Sequence, residues 1–163
     1  MPDVYVGLGS NVDPAAHLVR AVAALERLFG PVAASDVYRS PALGGTGDDY
    51  LNMVVSFVTE LDVEALRKRF SDIEAAEGRN RNEPSRCALD LDLLLYGRRV
   101  DAAADLPRAE ILRCAFVLVP LLELAPALTH PVTGEPLDET WGRLAASLPA
   151  ITRLGPLSAA ARA

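Results

Sequence analysis

Residues 88–96, Ala-Leu-Asp-Leu-Asp-Leu-Leu-Leu-Tyr, constrain this chain more tightly than any other stretch. Leu89, Leu91 and Leu93 alternate with Asp90 and Asp92, the period-two pattern of a strand with one buried face and one wet face. The carboxylates then project from the same face, roughly 6–7 Å apart along the chain. Two carboxylates that close repel each other unless a cation sits between them. A hard divalent ion such as Mg²⁺ suits both carboxylate and phosphate oxygens, so a metal-bridged phosphate site would give the pair a purpose. An amphipathic edge strand with a wet face explains the same residues without any ligand, and the fragment alone leaves the two readings level.

The remaining segments supply alternating strands and helices. Val4-Tyr5-Val6 starts a strand that runs into a turn at Gly7-Leu8-Gly9-Ser10-Asn11. Asp13-Pro14 opens a helix, with Asp as N-cap, Leu18, Val22, Leu25 and Leu28 as its inward face, and Gly30-Pro31 as its stop. Residues 32–38 read as a second strand, followed by a Gly-rich loop over 41–49. Residues 50–61 alternate again, with Leu51, Met53, Val55 and Phe57 opposite Tyr50, Asn52, Val54 and Ser56. Asp62 caps a second helix whose inward residues are Leu66, Phe70 and Ile73 and whose stop is Gly78. A basic loop with Arg79, Arg81 and Arg86 leads into the strand at 88–96. Residues 116–124 read as a short helix or turn, a last helix lies near 137–148, and the Ala-rich end is expected to fray. The order β-α-β-β-α-β with C-terminal additions is that of an α+β sandwich of ferredoxin-like type. With no repeat or linker, residues 1–163 read as one domain.

Charge and composition narrow the function. A net charge of -6 argues against broad binding to nucleic acid or to anionic membranes. The longest apolar runs fall far short of the ~18 residues of a membrane span. The start lacks the pattern of a secretion signal, and two cysteines, Cys87 and Cys114, make no disulfide framework, so the cytoplasm is the default location. Small molecules are the expected partners, with the chain a monomer or weak homo-oligomer. His17 and His130 are expected to be structural.

The Gly7–Asn11 segment is not a Walker loop, because no Gly-Lys-Ser/Thr follows, and its glycine spacing misses the dinucleotide fingerprint. An apolar-lined loop after Tyr38, together with Tyr50 and Asn52, suits a flat heterocycle, since an amide offers both a donor and an acceptor to a ring edge. These pieces occur in a telling order. The Gly-Ser-Asn turn precedes Tyr38-Arg39-Ser40-Pro41 and Tyr50-Leu51-Asn52. Ile73-Glu74, Gly78-Arg79-Asn80-Arg81 and Leu89-Asp90-Leu91-Asp92 follow, then Phe116-Val117-Leu118-Val119-Pro120-Leu121 with Ala125-Pro126. Together, over about residues 4–135, they resemble the 6-hydroxymethyl-7,8-dihydropterin pyrophosphokinase family.

The resemblance implies transfer of pyrophosphate from ATP to the hydroxymethyl group of the reduced pterin, with release of AMP. It implies that Asp90 and Asp92 bind two Mg²⁺ ions and, with Arg81, carry catalysis. It implies that the pterin lies between Tyr50 and Phe116, that Asn52 reads its edge, and that Ser40, Pro41 and Leu43 form the pocket wall. Glu74 and Arg81 would line the nucleotide side. The family pattern usually has arginines where this chain has Cys87 and Cys114, and a Pro-His pair where it has Pro107-Arg108. The neighbouring Arg86 and Arg113, with Arg108, are expected to bind the nucleotide and to restore part of the lost contact. Two other readings remain: a paralogue acting on a related pterin, and a pterin- or nucleotide-binding module, against which the presence of both aspartates counts.

Overall fold

The computed structural model describes residues 1–162. It opens with strand β1 (Asp3–Ser10), followed by helix α1 (Pro14–Phe29), short strand β2 (Ala33–Ala34), β3 (Val37–Ser40), β4 (Tyr50–Val58), α2 (Val63–Ala76) and β5 (Asp90–Tyr96). The C-terminal part adds α3 (Ala115–Leu124), α4 (Leu137–Leu144), β6 (Thr152–Gly155) and α5 (Leu157–Ala160). The sheet runs in the order β5-β1-β4-β3-β6, with β2 also paired to β4, and each pairing is antiparallel. No helix among the described residues is long and apolar enough to cross a membrane.

Period-two alternation gives the sheet two buried faces. On one, Val4, Val6, Leu8, Met53, Val55, Phe57, Leu91 and Leu93 meet Leu18 and Leu25 of α1 and Leu66, Phe70 and Ile73 of α2. On the other, Val54, Leu94 and Leu95 meet Ile111, Val117, Leu118, Leu121 and Leu137, so α3 and α4 cover the second face. Leu94 and Leu95 share that face because the β1–β5 register shifts opposite Tyr5 and Val6. A bulge of this kind places two residues of one strand against one of its partner.

Five expectations are corrected. Gly7 and Gly9 lie inside β1, which continues to Ser10, and are not a turn. Asp13 stands at the start of α1 with φ 44° and makes no side-chain cap, whereas Asp62 accepts from the Ala65 N–H at 2.8 Å and caps α2 as expected. Leu28 is 46% exposed, because Phe29 takes the inward position and stacks on Phe57 with ring centroids 4.3 Å apart. The strand over 32–38 is split at Ser35, whose N–H donates to the Val54 carbonyl while its hydroxyl accepts the Val54 N–H, each at 2.9 Å. The C-terminal segment, expected to fray, is folded among the described residues. Strand β6 pairs with β3, which would otherwise be an open edge, and Ala160 is buried beside α1. Arg153 secures β6 by an ion pair to Asp36 and a position 5.8 Å over the Tyr38 ring.

Both histidines are tied into the fold. His17 contacts Glu77 at 2.8 Å, linking α1 to the end of α2. His130 is 4% exposed, and its Nδ1 accepts the N–H groups of Val132 and Thr133 at 3.2 and 3.3 Å. Burial lowers its pKa below the ordinary 6.5. The unfolded chain therefore takes up the proton first. His130 favours the folded state above pH ~6.5, and that contribution is lost as pH falls through the unfolded value toward the lower folded one. Denaturant melts from pH 7.5 to 5 are expected to show a steeper loss of stability for the wild type than for His130→Asn; equal slopes would show that His130 does not couple to folding.

Candidate active site

The site begins with β1. Gly9 pairs with Asn52 of β4 on one side and with Asp90 of β5 on the other; Gly7 pairs with Val54 and Asp92 in the same way. With no side chains at these two positions, the middle strand forms a floor between the amide and the carboxylates. A Cβ on Gly9 would lie 3.1 Å from Asn52 Oδ1 and 3.6 Å from the Tyr50 ring. Glycine within a strand often marks such a close approach, and here it lets both side chains come down onto the sheet.

Above this floor opens a cavity of about 240 Å³. Ser40, Pro41, Leu43, Tyr50, Asn52 and Phe116 line it, together with Asp90, Asp92 and Arg108. Tyr50 comes from the start of β4, Phe116 from the first turn of α3, and Ser40 from the end of β3. Asn52 is 6% exposed and donates to the Ser40 hydroxyl at 2.8 Å, which holds the amide plane in one orientation. Burial, with Cys87 beside it, pushes the Tyr50 hydroxyl up to about 12, so the ring stays neutral.

A second, basic recess adjoins the first. It is lined by Glu74, Arg79, Arg81, Asp90, Asp92 and Arg108, among others. Glu74 is buried between the two layers of the site. Its Oε2 accepts the Leu91 N–H at 2.8 Å, and its Oε1 accepts from Arg81 at 3.2 Å. Burial raises its pKa, while the Leu91 N–H and the two arginines oppose that shift. Arg79 donates to the Leu89 carbonyl at 2.9 Å and to Asp90 at 3.1 Å. Arg108 reaches Asp92 at 3.4 Å, and its backbone N–H donates to the Leu94 carbonyl at 3.0 Å. This backbone hydrogen bond ties the segment that carries Arg108 to β5.

Asp90 and Asp92 share one face of β5, at the border of the two cavities. Burial first, and the Asp90 charge second, push the Asp92 carboxyl up to about 7, although Arg108 opposes the shift. The arrangement has an excess of negative charge that a cation would relieve. No third His, Cys, Asp or Glu among the described residues joins the pair in a metal-holding group. That donor set suits Mg²⁺, which commonly takes one or two carboxylates from the protein and the rest of its oxygens from phosphates and water.

The arginines expected on the phosphate side divide. Arg108 lies between the aspartates and Glu110, whose Oε2 is 3.2 Å from its Nε. Arg86 is exposed, pairs with Glu83 at 3.6 Å and lines a recess with Arg79, Arg81 and Asp90. Arg113 ends a 3-10 turn on the surface and lines none of the three cavities that contain Asp90. Cys87 and Cys114 are buried free thiols, and burial raises both pKa values. Cys114 belongs to the apolar cluster beneath α3. Three residues acquire places that their sequence context did not assign. Arg79 holds Asp90, Glu110 holds Arg108, and Asn11 binds the loop that ends at Cys87. Arg79 could have been found from its position in the Gly78–Arg81 motif; Glu110 carries no such signal.

Residues 5–126 match the family described as 7,8-dihydro-6-hydroxymethylpterin-pyrophosphokinase (HPPK). The chain is 41% identical over 151 residues to the 2-amino-4-hydroxy-6-hydroxymethyldihydropteridine pyrophosphokinase of Methylorubrum extorquens, covering 88% of this chain and 94% of that one. It is 33% identical over 144 residues to the protein of the same name from Aquifex aeolicus, covering 85% and 90%. In fold it is similar to wild-type Plasmodium falciparum HPPK-DHPS, with a TM-score of 0.67 at 11% identity, over 89% of this chain and 45% of that one. This chain thus spans less than half of that protein, and the likeness concerns the fold. The chain therefore belongs to the HPPK family, the ATP-dependent enzymes of folate biosynthesis that transfer pyrophosphate from ATP to hydroxymethyldihydropterin.

Proposed function

We propose that Asp90 and Asp92 hold two Mg²⁺ ions during this transfer, that the pterin lies between Tyr50 and Phe116, and that the ATP phosphates run through the basic recess. The observation that carries this reading is the position of the two aspartates, on the line where an aromatic-walled cavity meets a basic one. The substrate to be phosphorylated and the phosphate donor then approach the same pair of carboxylates from opposite sides. The strand order β5-β1-β4-β3 around β1 also supports the ferredoxin-like reading of the core. Residues 1–163 act in this reading as one domain, a monomer or weak homo-oligomer.

In this reading the pterin hydroxymethyl oxygen attacks the β-phosphorus of ATP. A new O–P bond forms as the bond from the β-phosphorus to the bridging oxygen of the α-phosphate breaks; AMP leaves and the hydroxyl proton passes to solvent. Mg²⁺, when bound, neutralises charge on the transferred group and aligns the attacking and leaving oxygens. The protein's own part is positioning. Asn52 presents its fixed amide to the pterin edge, with Ser40, Pro41 and Leu43 as the wall. Glu74 braces Arg81 and Arg79 against β5, so that both guanidinium groups face the phosphates. Arg108, half-buried beside Asp92, supplies positive charge where the transferred group crosses from one cavity to the other. Arg86 reaches the nucleotide from the rim.

Purified protein supplied with ATP, Mg²⁺ and 6-hydroxymethyl-7,8-dihydropterin is expected to release AMP in a reaction that needs all three. Asp92→Ala is expected to abolish that release with the circular dichroism spectrum retained; unchanged turnover would remove the metal-site assignment. The arginines give a sharper test. Loss of one preorganised donor at a transferring group costs about 10²–10³ in kcat. Arg108→Ala is expected to fall in that range and Arg86→Ala to raise the KM for ATP, whereas Arg113→Ala should behave as wild type. A large loss from Arg113→Ala with none from Arg108→Ala would reverse the assignment.

A further inference from the structure

The Arg108 guanidinium is shared between carboxylates and settled on none of them. It lines both cavities, with Asp92 at 3.4 Å, Asp105 at 3.5 Å and the two Glu110 oxygens at 3.2 and 3.3 Å. A well-formed pair of this kind closes to about 2.7–2.9 Å. Elsewhere in the molecule Arg20, Arg99 and Arg143 reach that length, each holding a carboxylate at 2.7 or 2.8 Å.

A second observation falls on the same side chain. The Nε of Arg108 is buried and has no hydrogen-bond partner, although Glu110 Oε2 lies 3.2 Å away. A buried donor left unpaired is costly, and a turn of the guanidinium toward Glu110 is the movement that would pair it. Asp92 pulls against that turn. The backbone beneath is held, because the Arg108 N–H donates to the Leu94 carbonyl at 3.0 Å, so movement is left to the side chain.

We infer that Arg108 is the resting counter-ion of Asp92, displaced when that carboxylate takes a divalent cation, and that Glu110 is the positioning residue that receives it. The inference rests on the proposed assignment of Asp90 and Asp92 to the metal. A metal ion on Asp92 repels the guanidinium and removes its partner there. Glu110 and Asp105 remain, and neither belongs to the metal-binding pair. Turned toward Glu110, the guanidinium gains the bond that its Nε lacks and stays on the wall common to the two cavities. Metal and arginine thus compete for one carboxylate until phosphate oxygens are present to take both.

Mn²⁺ serves as the probe, its free concentration read by electron paramagnetic resonance on the full chain without nucleotide or pterin. Arg108→Gln is expected to bind Mn²⁺ about tenfold tighter than the wild type, the scale on which an adjacent arginine weakens a carboxylate's hold on a proton. Arg108→Lys, which keeps the charge, should stay near the wild type. Glu110→Gln should weaken Mn²⁺ binding when made in the wild type, because Arg108 is left with Asp92. Made in Arg108→Gln, it should change little. That non-additivity separates a seat for Arg108 from the plain loss of a negative charge, whose effect would add. Each variant keeps the backbone tie to Leu94 and is expected to melt cooperatively. The inference is overturned if Arg108→Gln binds Mn²⁺ no tighter than the wild type, if Arg108→Lys binds it as tightly as Arg108→Gln, or if the two substitutions add. Adding Asp92→Asn to Arg108→Gln separates this inference from the reading beneath it. Loss of the tightened binding supports both; binding that persists would place the metal elsewhere and remove the assignment of the aspartates, and this inference with it.

Discussion

Strand β1 is hydrogen-bonded to β4 on one side and to β5 on the other, and its Gly9 sits in register with both Asn52 and Asp90. Every part of the site depends on that three-strand register. The amide that faces the aromatic-walled cavity and the first carboxylate of the pair stand one strand spacing to either side of a residue without a side chain. A shift of one residue in either pairing would turn Asn52 or the aspartates into the apolar core and bring leucine or methionine into the cavity. The register is protected because the same strands bury Leu8, Met53 and Leu91 on the opposite face, each close to fully covered. Hydrophobic burial on one side of the sheet thus maintains the chemistry on the other.

Charge at the border of the two cavities is arranged in pairs. Arg79 holds Asp90 and Arg108 holds Asp92, and each arginine is itself anchored to backbone, Arg79 by the Leu89 carbonyl just before β5 and Arg108 by the Leu94 carbonyl within it. The pairs leave the Asp92 carboxyl raised to about 7, by burial first and by the neighbouring Asp90 charge second. A site that keeps this residual negative charge, with positive groups at its flanks, favours a ligand that brings both metal ions and phosphates. Such a ligand satisfies the carboxylates and the guanidinium groups at once. Glu74 makes the arrangement rigid, because a buried carboxylate that accepts from Leu91 and from Arg81 links α2, the basic loop and β5 in one network.

The residues expected on the phosphate side are placed differently from one another. Cys87 and Cys114 are drawn into buried positions, where a thiol packs as a small apolar group. Arg86 and Arg113 stay at the surface. Of the two, Arg86 lines a recess with Arg79, Arg81 and Asp90, and Arg113 lies outside it. Arg79 stands 3.1 Å from Asp90 and Arg108 3.4 Å from Asp92, and the Arg108 backbone N–H is tied to the Leu94 carbonyl.

Local pattern was enough for much of the molecule. The alternation at 88–96 and 50–58, the cap at Asp62 and the stop at Gly78 are visible in sequence because strand period, capping and left-handed glycine are properties of short segments. The residues gathered around the cavity were also legible, since their order along the chain matches a family pattern. Other features were decided only in three dimensions. Gly7 and Gly9 look like a turn until both flanking strands are present to pair with them, and Phe29 displaces Leu28 because Phe57 offers a stacking partner from a distant strand. Strand β6 forms because β3 has an unpaired edge to cover, and it leads the chain back to α1 at Ala160. Arg108 and Asn11 owe their places to backbone carbonyls and N–H groups far away in sequence. Sequence by itself determined which side chains were available and the period on which they repeat; the tertiary structure decided which of them meet, because hydrogen-bond register and the filling of space are set between segments and not within them.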